Sequence, residues 1–194
     1  MAPMLWLVPA VFAVFAGAVF LWTRGLRVPA ALLGLAGLGL LFIVGRGIES
    51  GRDAEWREAA SRLQGSFRRG PSCADLDPFG APAPWTEWSR DGELQCPRAI
   101  HGNDAGGAWA LVQIRYSVRE RRGEEHPDSW YEVTVAVIRL RAPSPSHVAP
   151  DGYAVMQNGE SLFLWKKGTP GAGASVDPAE LPALLAQARR VLPR

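Results

Sequence analysis

The chain has 194 residues, of which 47% are hydrophobic, enough for one domain plus an anchor. It carries 21 basic and 19 acidic residues, and the two surplus arginines, Arg24 and Arg27, both precede residue 46, so everything after that point is formally neutral. A basic nucleic-acid footprint is excluded, as is an acidic tail.

The N-terminus is the most apolar region. No charged side chain occurs between Met4 and Trp22, nor between Val28 and Gly45. As helices these runs would reach about 28 and 27 Å, close to the roughly 30 Å hydrocarbon core of a bilayer. Trp6 and Trp22 stand near the ends of the first run, where amphipathic rings favour the headgroup region. The "MAPMLW" start lacks the basic side chain of a signal peptide, and the apolar run is too long for one. Ala13 with Gly17, and Ala30 with Gly34, are small-xxx-small pairs that let helix backbones approach. Residues 1–45 therefore read as a transmembrane hairpin with spans at 4–22 and 28–45. Neither span holds an ionisable residue, so an ion or proton pathway has nothing to run on.

Arg24 and Arg27, in the "TRGLR" gap, are the topology determinants. Basic flanks stay cytoplasmic and the first span usually decides, which places the gap inside and the following domain outside. Arg46, Arg52, Arg57 and Arg62 after the second span weigh the other way. The two cysteines, Cys73 and Cys96, tip the balance outward. An even pair in a loop-rich region suits an oxidising compartment, and a bridge closing that loop would stabilise by about 3 kcal/mol.

Next, "ESGRDAEWREAASRLQG" reads as a membrane-proximal stalk helix within 46–65, capped by Ser50 and ended by Gly65. Residues 66–107 show no sustained period and carry five prolines, so they read as a long irregular segment holding one or two short strands, such as 92–96. Within it, Trp85 and Trp88 in "PAPWTEW" are binding candidates, since loop tryptophans favour protein or carbohydrate contact. From Trp109 the period becomes 2. Ala110, Val112, Ile114 and Tyr116 share one face of a strand; Tyr131, Val133, Val135 and Val137 share one face of the next. The charged loop 119–129 joins them. "GYAVMQ" and "SLFLWKK" meet across Asn158-Gly159, a strong hairpin signal. A last helix starts at Asp177, with Pro182 delaying its regular part, and its leucines form one apolar stripe. The expected fold is α+β: the two-helix hairpin, the stalk helix, and at 108–194 a four-stranded antiparallel meander with the C-terminal helix packed on its buried face.

The layout resembles a loose group of actinobacterial membrane-anchored proteins of unknown function. The stretches "VTVAVIRL", "GYAVMQNGESLFLW" and "DPAELPALLAQARRVL" carry the likeness, and it implies no activity and no site residues. Arginine in place of lysine (only Lys166 and Lys167 occur) with many Ala, Gly and Pro residues also points to a high-GC bacterial source.

Chemical motifs are sparse. There is no GxSxG elbow, Walker loop, dinucleotide fingerprint, HExxH or CxxC. His101, His126 and His147 lack metal spacing, so no metal and no cofactor are expected, and no catalytic residue is assigned. The expected function is a non-enzymatic interaction or structural domain held at the bacterial plasma membrane, two-pass and extracytoplasmic. Its partners would be the bilayer and a membrane or cell-envelope protein, with no nucleic acid and no specific sign of a homo-oligomer. The alternatives are an envelope thiol hydrolase using Cys96 and His101, and a cytoplasmic-facing membrane adaptor.

Overall fold

A computed structural model describes residues 7–70, 93–118, 129–140, 147–168 and 174–192. It divides into two compact units, Met1–Ala54 and Glu55–Arg194.

The first unit holds helix α1 (Leu7–Thr23) and most of helix α2 (Arg27–Arg62). Pro9 falls in the first turn of α1, where its missing N–H leaves no helical bond unmade. The helix ends in a Schellman motif: Gly25 takes a positive φ of 80°, its N–H donates to Trp22 O, and Leu26 N–H donates to Leu21 O. The two helices touch through small residues. A Cβ on Gly17 would stand 3.0 Å from Leu33, and one on Gly37 would stand 3.2 Å from both Val14 and Phe15. Gly34, singled out by its spacing, faces open space.

The expected stalk helix is not a separate element. α2 runs unbroken through Ser50, whose neighbours' N–H groups are satisfied within the helix and need no cap. Gly45, Gly47 and Gly51 each cost about 1 kcal/mol relative to alanine, but no proline stands there to break the ladder. The helix stops at a second Schellman motif. Gln64 N–H donates to Ser61 O, Gly65 N–H donates to Ala60 O, and the left-handed residue is Gln64, at φ 54°. Gly65, expected to take that role, is glycine for a different reason: a Cβ there would meet Ile100, His101 O and Trp109 within 2.9 Å.

The second unit is built on a six-stranded, wholly antiparallel sheet in the order β1-β2-β3-β4-β6-β5. Its strands are β1 (Ser66–Arg69), β2 (Leu94–Asp104), β3 (Gly107–Val118), β4 (Ser129–Arg139), β5 (Tyr153–Asn158) and β6 (Ser161–Lys166). A 3-10 turn (Pro178–Glu180) leads into helix α3 (Leu181–Arg190). Asp177 caps that turn by accepting the N–H of Ala179 at 2.8 Å, and Pro182 sits in the first turn of α3. Three helices and six strands thus replace the expected hairpin, stalk and four-stranded meander. β1 and β2 are the omissions. In β2, "LQCPRAIHGND" has no clean alternation, and Pro97 argues against a central strand. It is tolerated because the register against β3 shifts between Gln95 and Arg98, a bulge where no ladder bond is asked of it. Its carbonyl accepts the N–H of Gly70 at 2.8 Å.

Both faces of the sheet are covered. On one, Ile100, Trp109, Leu111, Ala136, Ile138 and Leu164 form a core with Trp56, Ala59 and Ala60 from the end of α2 and Leu181, Leu184, Leu185 and Ala188 of α3. On the other, Cys96, Ala99, Ala110, Val112, Ile114, Tyr116, Val133, Val135, Val137 and Phe163 form a second core. The clean apolar alternation of β3 and β4 therefore marks the face away from α3. The helix covers the residues of opposite phase.

Candidate functional site

Among the described residues, three places carry chemistry beyond packing. The first is the surface of the N-terminal unit. Phe12, Val19, Phe20, Trp22, Val28, Leu32, Leu35, Phe42 and Ile43 are all more than half exposed. α2 is long and apolar enough to cross a membrane, and only 11% of its apolar window is buried within the protein. α1 is a shorter apolar helix beside it in sequence. Arginines punctuate this surface. The Arg24 guanidinium lies 5.2 Å from the centre of the Phe20 ring, and that of Arg46 lies 4.9 Å from Phe42, placing cations over aromatic faces. Arg27 opens α2.

The second is a polar row at the end of the helix-covered face, beyond the reach of α3. Register sets Arg98 opposite Gln113, Gln113 opposite Thr134, and Arg115 opposite Glu132. Arg98, buried to 1% exposure, donates to Gln113 Oε1 at 2.8 Å. Gln113 Nε2 donates to Glu132 Oε1 at 2.7 Å, and that oxygen also accepts from Ser175 Oγ at 2.8 Å. Arg115 donates to the other oxygen, Oε2, at 3.2 Å. Next to it, Thr134 Oγ1 accepts the N–H of Val176 at 3.0 Å. A buried guanidinium is costly unless its protons are matched, and charge-assisted bonds of this kind are about twice as strong as neutral ones. The row gives Arg98 one such bond and ties Ser175 and Val176 to β4. It escaped the sequence because Gln113, Arg115 and Glu132 read as the solvent-facing phase of half-buried strands. The signal was there in the cross-strand pairing of Arg115 with Glu132, once register is known.

The third is the pair Cys96 and His101 on β2. Five positions apart on a strand, they stand about 16 Å from each other, far outside hydrogen-bond reach, so the strand does not assemble the nucleophile and base of a thiol hydrolase. Among the described residues no cysteine is free. Burial, and then the charge of Arg68, hold the His101 imidazole below its ordinary pKa of 6.5, and its Nε2 has no hydrogen-bond partner among the described residues. Burial, then the neighbouring Tyr131, raise the pKa of Tyr116, whose ring stacks on Tyr131 at 5.5 Å. Among the described residues no group of three His, Cys, Asp or Glu side chains could hold a metal ion. Cys73, Trp85, Trp88 and positions 119–128 of the charged loop, His126 included, lie outside the described residues.

No family model, no curated protein and no solved structure matches this chain, so the likeness of layout to actinobacterial membrane-anchored proteins gains no relative from them.

Proposed function

We propose that this is a two-pass protein of a bacterial plasma membrane that displays a non-enzymatic α+β domain outside the cell for contact with a membrane or cell-envelope protein. The observation that carries this reading is the continuity of α2. Its N-terminal half exposes Leu32, Leu35, Phe42 and Ile43, and its C-terminal turns place Trp56, Ala59 and Ala60 in the domain core. A removable signal sequence has no reason to be one helix with a core element, whereas an anchor does. α1, capped at Gly25 and backed by Leu33 at Gly17, supplies the first span, with Arg24 and Arg27 in the cytoplasmic turn. Cys73 is the only cysteine of the chain besides Cys96, and a bridge between them fits an oxidising compartment.

The test is labelling of intact cells with a membrane-impermeant maleimide, with and without a reductant that leaves the membrane sealed, alongside an engineered Arg122→Cys variant. Labelling of Cys73 and Cys96 only after reduction, with the thiol of the Arg122→Cys variant labelled throughout, supports the exported, bridged domain. Labelling of all three thiols only after lysis places the domain in the cytoplasm and overturns the topology. Release of the chain by alkaline carbonate overturns the anchor itself.

A further inference from the structure

The two edges of the sheet are built differently. β1 is four residues long against the eleven of β2, and half of it is Arg68 and Arg69. Short, cationic edges resist pairing. β5, "YAVMQN", is the other edge. It has no charge and no proline, and among the described residues no strand pairs with its outer side. The β5–β6 hairpin fixes which of its backbone groups point outward. Asn158 and Ser161 close a two-residue loop, Gly159-Glu160, with Gly159 at φ 55°. They form a hydrogen-bonded pair, so Met156 and Ala154 also bond to β6, opposite Phe163 and Trp165. Tyr153, Val155 and Gln157 alternate with them, and their N–H and C=O groups face away from the sheet. The N–H of Tyr153 is used locally, donating to Pro150 O at 3.0 Å.

We propose that β5 is a homodimerisation edge, pairing antiparallel with β5 of a second copy about a two-fold axis through Val155. In that register Val155 faces Val155 of the second copy and bonds twice, while the Tyr153 carbonyl accepts the Gln157 N–H in both directions. The ladder then has about four backbone bonds and leaves the Tyr153 N–H with its own partner. The uncharged composition selects the occupant. Two-fold pairing sets each side chain against itself or a near neighbour, and a charged edge would face its own charge, as β1 would. Both copies are held in one bilayer in the reading above, on which this inference partly rests, and such confinement raises the effective concentration enough for a six-residue contact to matter.

The test uses the full chain in its native membrane. Val155→Cys, Tyr153→Cys and Glu160→Cys are oxidised in situ and run on non-reducing gels. Directly opposed β residues lie within disulfide range, so Val155→Cys should give at least about five-fold more dimer than Tyr153→Cys or Glu160→Cys. A Tyr153→Cys/Gln157→Cys double variant should restore the bridge that Tyr153→Cys alone does not form. Val155→Pro in the Tyr153→Cys/Gln157→Cys background removes one outward donor without touching the β6 ladder, and should lower the dimer about five-fold while protease resistance of the domain is kept. Equal cross-linking at all three single positions, none at Val155, or a product of the mass of a different protein each overturns the pairing. Carbonate extraction of the same membranes reports the anchor separately, so loss of the dimer and loss of the membrane reading are told apart.

Discussion

At Gln64 and Gly65 two neighbouring residues carry opposite constraints. Gln64 holds a left-handed backbone that a side chain resists by about 1–2 kcal/mol, while Gly65 is needed for space, not for its dihedral angles. Gln64→Gly should therefore raise domain stability by about 0.5–1 kcal/mol after the entropy that glycine loses on folding, whereas Gly65→Ala should lower it by about 2 kcal/mol through forced displacement of Ile100 and Trp109. Urea unfolding of both variants checks the pair. His101 makes a second residue-scale prediction. Its pKa is held below 6.5, by burial and then by Arg68, so the unfolded chain binds the proton more tightly than the folded one. The stability that comes from a neutral His101 is fully present above pH 6.5 and is lost as the pH falls below that value. Thermal unfolding between pH 7.5 and 5 should show the decline, and His101→Gln should flatten it.

On the scale of elements, β1, β2 and the end of α2 are what the sequence conceals. Period 2 is visible in β3 and β4 because one phase of each is uniformly apolar, and β5 and β6 are visible through the turn residues between them. β2 hides behind Pro97 and the small Ala99 and Gly102, yet Gly102 is where the Trp109 indole lies against the strand: a Cβ there would be 2.1 Å from the ring. Small residues look like loop composition in sequence and like room for an aromatic in the sheet. The modest stripe of Trp56, Ala59, Ala60 and Leu63 reads as the docking face of a stalk helix, and in the structure Trp56, Ala59 and Ala60 are core residues with Leu63 packed against them. Trp56, at 1% exposure, belongs to the same core as Ile100 and Leu111, and Trp56→Ala should cost about 3–5 kcal/mol, seen as a fall in the urea midpoint with secondary structure retained below the transition. A stalk that merely spaces the domain from the bilayer would lose almost nothing from the same change.

Across the whole molecule, the apolar surface of α1 and α2 predicts behaviour in lipid. A single charge at the centre of a span costs about 2.5–3.5 kcal/mol on insertion scales, so Leu35→Arg should shift the chain from the carbonate-resistant fraction to the soluble or degraded pool, while Arg52→Ala, outside the apolar stretch, should not. Apolar length and the absence of charge are properties of the chain itself, and they alone make α2 a candidate span. Alternation located β3 and β4, the Asn158-Gly159 turn signal located β5 and β6, and Asp177, Pro178 and Pro182 the start of the last helix, because caps and turns are local. Three things were left to tertiary structure. Which face of the sheet α3 covers was not readable, since both phases of β3 are buried and period 2 does not say which phase meets a helix. The stalk and the second span became one helix, because glycines weaken a helix without breaking it. The row from Arg98 through Gln113 to Glu132 exists only through register: polar residues on three strands become a partly buried network when the ladder sets them side by side.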